Sequence, residues 1–206
     1  IEKTGGRLHV AHISCKKSVD LVRQAKSKGL FVTCEVAPHH FTLTDEAVRG
    51  YDTNTKMSPP LRTYSDVEAI KEGLRDGTID IIATDHAPHD IADKQVEYQN
   101  ACFGIVGLET ALPLSLKLVE EKILSLNDVI KKLTSTPAEI FNIKGGNLSL
   151  GQEADILIFN PSFAYKIDVS KFHSKSKNSP FDGWNVKGKV MHTIVRGKTV
   201  YSAIDN

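Results

Sequence analysis

Ile79-Asp80-Ile81-Ile82-Ala83-Thr84, followed at once by Asp85-His86-Ala87-Pro88-His89, is the stretch that decides the fold. Its first part is apolar except for Asp80 and the closing Thr84, without the alternation of a half-exposed strand. It therefore reads as a strand over residues 79–83 buried on both faces, as in a parallel sheet. A carboxylate and two imidazoles then stand at the C-terminal end of that strand, where active sites assemble in parallel α/β architectures. A lone strand-end Asp would as readily cap the next turn. Two histidines within the following four residues favour a site.

Upstream, residues 8–13 read as a strand and residues 18–28 as a helix with Val19, Leu21, Val22 and Ala25, ending at Gly29. Residues 31–36 read as a second strand, and a helix opens at Tyr64-Ser65-Asp66 and runs to about Arg75. Downstream, helices are predicted over 107–121, 126–133 and 137–142, with Ser125 and Thr136 as caps. The character changes at Lys144-Gly145-Gly146: strands follow at 154–159, 190–195 and 199–202, with a polar stretch at 170–179 and a turn at Arg196-Gly197-Lys198. The expected organisation is α/β: a partial (β/α) barrel over 1–145 and a small β-domain over 146–206. A (β/α) barrel needs eight strands and about 250 residues. With three strand–helix units and Ile1 rather than Met at its start, the chain is expected to be part of something longer.

Composition removes several classes. Lys and Arg total 26 against 25 Asp and Glu, a net charge of +1 with no basic block, which argues against a nucleic-acid partner. No apolar run approaches the roughly 20 residues that span a bilayer, and no signal segment opens the chain, so neither membrane insertion nor secretion is expected. Cys15, Cys34 and Cys102 are too few and too scattered for a disulfide framework or a thiolate zinc knuckle. They fit free thiols in the cytoplasm.

Further candidates follow from the other strand ends. In Leu8-His9-Val10-Ala11-His12-Ile13-Ser14, residues three apart point to opposite faces of a strand, so only one histidine can face the site. His12, nearer the C-terminal end, is the ligand candidate, and His9 is expected to be a packed histidine facing the helix layer. In Cys34-Glu35-Val36-Ala37-Pro38-His39-His40, adjacent histidines diverge, and Glu35 is a candidate acceptor that fixes an imidazole. Lys56-Met57-Ser58-Pro59-Pro60-Leu61-Arg62 is stiffened by its prolines. It is either a rigid connection or a loop presenting Ser58 or Arg62 to an anion. Cys102-Phe103-Gly104-Ile105-Val106-Gly107 brings two glycines, and so a close backbone, near a ligand.

The strings HVAHIS, CEVAPHHFTLT, KMSPPLR, ATDHAPH and FGIVGLET, in this order and spacing, resemble the C-terminal half of the bacterial-type dihydroorotases of the amidohydrolase superfamily. The tail GNLSLGQEADILIFNP with TIVRGKTVYS is similar to that superfamily's terminal β-sandwich. The resemblance implies barrel strands six to eight plus a β-sandwich, and a zinc-dependent interconversion of dihydroorotate and N-carbamoyl-aspartate in pyrimidine synthesis. It implies His12 and Asp85 as zinc ligands, Asp85 also as the catalytic acid and base, and Ser58, His89, Phe103 and Gly104 as substrate contacts. It implies one or two zinc ions, completed by ligands from an N-terminal half. It further implies a homo-oligomer, with aspartate transcarbamoylase as a candidate partner. Related hydantoinases and allantoinases are the enzymatic alternative, and an inactive scaffold binding aspartate transcarbamoylase the non-enzymatic one. The family usually carries Asn where this chain has Ser58, a shorter side chain with one donor hydrogen rather than two. Cys102 stands where bacterial members often have Pro.

Overall fold

Every second residue of the strand at the middle of the parallel sheet faces a helix, and that alternation organises the first two-thirds of the chain. The structure, a computed structural model, describes residues 1–204. Strands β1 (Leu8–Val10), β2 (Val32–Val36) and β3 (Ile81–Ile82) form a parallel sheet in the order β1-β2-β3. Val32, Cys34 and Val36 are buried, while Thr33 and Glu35 point to the other face. On the buried side lie helices α1 (Lys16–Ser27) and α3 (Tyr64–Arg75), which contribute Val19, Val22, Ile70 and Leu74 to one core with Ile79, Ile82, Leu118 and Val129. Full burial of an aliphatic side chain stabilises by roughly 1.5–3 kcal/mol, so this cluster dominates the region's stability.

Between and after the strands run α2 (Pro38–Thr42), α4 (Ile91–Lys94), α5 (Ala111–Glu120), α6 (Leu126–Leu133) and α7 (Ser135–Phe141). The cap expected at Ser125 is made: its Oγ accepts from the Asp128 N–H at 3.1 Å and donates to the Asp128 carboxylate. Thr136 is not a cap, because α7 starts two residues earlier than expected, at Ser135 behind Thr134, and places Pro137 within the first turn, where a missing N–H is tolerated.

Strands β4 (Ile156–Lys166), β5 (Asn185–Val195) and β6 (Lys198–Ser202) form an antiparallel sheet in chain order. The β5–β6 hairpin turns at Arg196 and Gly197, both at positive φ, as a two-residue hairpin of right-handed twist requires. The strand expected to stop at Phe159 continues to Lys166, because a register shift between Asn160 and Ala164 accommodates Pro161 without ending the ladder. A second core cluster joins Leu43, Met57, Ile105 and Leu114 to Ile167, Phe181 and Val186. Among the described residues, no helix is long and apolar enough to cross a membrane.

Candidate active site

Three strand ends in a row carry the site. His12, His39 and Asp85 lie just beyond the C-terminal ends of β1, β2 and β3. His12 and Asp85 both hold positive φ, 35° and 48°, a conformation that L residues adopt only when the surroundings enforce it. Strain of this kind, of order 1–3 kcal/mol per residue, aims each side chain away from the path an extended strand would take.

The polar atoms gathered there are poorly satisfied by the protein. His39 is 2% exposed, and its Nε2 stands 3.8 Å from Asp85 Oδ2, beyond hydrogen-bond length. His12 Nδ1, His39 Nε2 and His40 Nδ1 are buried without a hydrogen-bond partner. Burial, reinforced by the neighbouring His40 and His12 rings, holds His39 well below the usual imidazole range. Burial likewise brings His40 down to about 4. Asp85 is pushed up by burial, against the pull of His12. Neutral imidazoles with free lone pairs beside a carboxylate make a donor set for a borderline-soft divalent cation such as zinc. By donor type these residues fit the metal that the sequence implies; among the described residues, the three whose ligand atoms lie within 4.8 Å of one another are His89, Asp93 and Cys102.

A second group lies on the following loops. His89 Nε2 meets the Phe103 carbonyl at 2.7 Å, and Ala87 N–H donates to Ile105 O at 2.8 Å. Gly104 has φ 102°, and a Cβ there would meet Ala87 Cβ at 2.6 Å. At Gly107 a Cβ would stand 2.3 Å from the Thr84 carbonyl oxygen, so the loop lies against the end of β3 only because residue 107 has no side chain. The Gly104 N–H is engaged by the Lys56 carbonyl at 2.8 Å. The Phe103 and Gly104 carbonyls accept one bond each and keep a second lone pair for a ligand N–H. Ser58 is exposed, and its segment links the two groups: Lys56 reaches Gly104, while the Pro59 carbonyl is held by His40 Nε2 at 2.9 Å. Arg62 Nε donates to Ser14 Oγ at 3.3 Å.

His9 has the satisfied role expected but on the other face. Its ring bonds Thr33 Oγ1 at 2.8 Å and Glu35 Oε2 at 3.0 Å, on the side of the sheet opposite the buried Cys34 and Val36. Glu35 thus fixes an imidazole, that of His9. His86 Nδ1 accepts from the Gly107 N–H at 3.0 Å and serves to hold the loop. Two residues enter that sequence reasoning did not select. His39 reaches Asp85, a placement hidden in a two-histidine string, and Asn178 reaches the loops of the second group from 91 residues away.

A carboxylate and imidazoles gather at the strand ends of a parallel sheet, and the amidohydrolase family profile matches residues 2–200. The chain belongs to the amidohydrolase family. It is 54% identical over 202 residues to a dihydroorotase of Geobacter sp. strain M21, covering 98% of this chain and 48% of that protein. To a dihydroorotase of Anaplasma phagocytophilum it is 55% identical, with 98% and 45% covered. Among solved structures it is similar to an L-hydantoinase from Arthrobacter aurescens, with TM-score 0.92 and 35% identity, covering 98% of this chain and 46% of that one. The chain spans about half the length of these relatives.

Proposed function

We propose that this chain supplies barrel strands six to eight and the terminal β-sandwich of a zinc-dependent dihydroorotase, with the barrel part over 1–145 and the β-domain over 146–206. The observation that carries the reading is the pair of strained residues His12 and Asp85 on the ends of β1 and β3, flanking a buried His39 whose ring nitrogen has no partner. His12 and Asp85 hold the metal. A bound zinc supplies Lewis-acid polarisation of the amide carbonyl and a lowered pKa for water.

The remaining work falls to this chain's own groups. Asp85, whose proton affinity is raised by burial, takes the proton released at attack and returns it to the ring nitrogen as the C–N bond breaks. Its position at a strand end, unbonded to His39, leaves the carboxylate free to do both. His89 and the loop at Phe103 and Gly104 orient the substrate ring, with backbone carbonyls accepting its N–H groups. Ser58 offers a hydroxyl to the substrate carboxylate. β1 is an edge strand of the sheet, and its Leu8 is exposed (46%), a surface suited to the rest of the barrel. The functional enzyme is a homo-oligomer in the cytoplasm, with a small-molecule substrate.

The test offers dihydroorotate, hydantoin and allantoin to the chain, alone and with the segment that makes up the rest of its relatives' length. Turnover of dihydroorotate by the combined material, with zinc bound, is expected. Preference for hydantoin would replace the reading by that of a hydantoinase, and no turnover of any cyclic amide in zinc-loaded material would end it.

A further inference from the structure

Asn178 is 7% exposed and belongs to the polar stretch between β4 and β5. Its Nδ2 donates to the Ala87 carbonyl at 3.0 Å and to the Gly104 carbonyl at 3.2 Å. Its Oδ1 accepts from the His89 N–H at 3.3 Å, and its own carbonyl accepts from the Val106 N–H at 3.0 Å. One carboxamide therefore bonds both loops of the second group, on either side of the residues read as substrate contacts. The segment is also fixed at its other end, where the Glu109 carboxylate accepts from the His173 and Ser174 N–H groups at 2.9 and 3.1 Å. Between these points Lys177 Nζ donates to the Phe172 and Ser174 carbonyls, closing the stretch on itself. Directly after it, Phe181 is fully buried in the shared core.

We infer that Asn178 is a positioning residue for substrate, setting the distance between the His89 loop and the Phe103-Gly104 loop so that both meet one ring. The chemistry required is specific to a primary amide. Two carbonyls need two N–H donors, and the His89 N–H needs an acceptor in the same plane. Aspartate has the shape without the donors, serine has one donor, and glutamine has the right atoms one methylene too far. The residue bonds neither His12 nor Asp85, so its effect falls on substrate binding and leaves a metal held by those two in place. This rests on the reading that His89 and Gly104 contact substrate.

The experiment uses the intact enzyme containing this chain, with dihydroorotate as substrate, and compares wild type, Asn178→Asp, His89→Ala and the double variant. Asn178→Asp is expected to raise KM about tenfold, the consequence of two lost hydrogen bonds and a carboxylate facing two carbonyls, with kcat and zinc content within twofold of wild type. In the His89→Ala background the same change should raise KM less than threefold, because one of the two substrate contacts whose spacing it sets, the imidazole, is gone and only the Gly104 side remains to be displaced. Equal effects in both backgrounds would overturn the proposal, as would a fall in zinc and kcat alongside the rise in KM. If Asn178→Asp does not fold, Asn178→Ser is carried through the same cycle and judged by the same outcomes. Failure of wild type to turn over dihydroorotate refutes the underlying reading. A raised KM in His89→Ala with none in Asn178→Asp refutes only the positioning role.

Discussion

His9 and His12 lie on and just past the same short strand, and the chain treats them in opposite ways. At the His9 end of the sheet, no buried side-chain polar atom of His9, Thr33, Glu35, Lys26 or Asp80 lacks a partner. Both ring nitrogens of His9 are bonded, and Lys26 Nζ reaches Asp80 at 2.7 and 2.8 Å while Asp80 accepts from the Cys34 N–H at 2.9 Å. Burial there pushes the Cys34 thiol up to about 12, an inert group. At the His12 end, three imidazole nitrogens are buried without partners and two residues sit at positive φ. Buried polar groups in folded proteins are nearly always paired, so the contrast marks one end as scaffold and the other as a place that expects a ligand.

The sharpest way to break this contrast is at Asp85. Asp85→Asn in the intact enzyme should lower kcat by a factor of about 10²–10⁴ with dihydroorotate still bound. Kinetics beside a zinc assay decide it, and near-normal turnover with zinc retained would remove Asp85 as the proton carrier.

Acid should act next most strongly, through His40. Its folded value of about 4 lies below the ordinary 6.5 because the ring is buried. Between those values the unfolded chain binds the proton that the folded chain refuses. The His40 contribution is therefore fully present above about pH 6.5 and is lost as pH drops to about 4, roughly 3 kcal/mol, and His39, also held low by burial, adds to the loss in the same direction. Denaturant titrations across this range measure it, with His40→Gln as the variant that should reduce the slope while His39 keeps its share.

The two histidines of the first strand can then be set against each other. His12→Ala is expected to lose zinc with little change in stability, and His9→Ala to keep zinc while losing about 1–3 kcal/mol, since Thr33 and Glu35 would be left unpaired. Metal analysis beside thermal unfolding separates them, and the reverse pattern would exchange their roles. The smallest effect is expected at Ser58. Ser58→Asn should lower KM for dihydroorotate by a few-fold, an amide reaching further with both a donor and an acceptor, and a KM that rises or stays would place Ser58 away from substrate.

Much of the fold was legible because periodicity and caps agree with the tertiary structure. α3 and α6 occupy the residues predicted for them, and the parallel strands fall inside their predicted runs. The errors have local causes. α2 is a five-residue helix with Pro38 at its first position, too short to show a period. β4 continues through Asn160-Pro161, which read as a stop, because a shift of register removes the need for an N–H there. Where strand order could be inferred, placement was legible: His12 and Asp85 stand beyond the ends of β1 and β3 as expected. His9 was placed on the wrong face because its partners Thr33 and Glu35 are on another strand, and a single strand's alternation does not say which face the helices cover. Asn178 carried no signal at all, its meaning residing in contacts 74 to 91 residues distant.

The contact between Gly107 and the end of β3 also bears on how this sequence can drift. In a saturation library selected for growth that depends on the enzyme's activity, position 107 should accept no replacement, because even alanine would place its methyl carbon 2.3 Å from the Thr84 oxygen. Gly50, with open space around it and no positive φ, should accept nearly all of them. Two glycines of identical composition thus have opposite evolutionary freedom, and the loop that carries Phe103 and Gly104 can diversify on either side of residue 107 while that one position stays still.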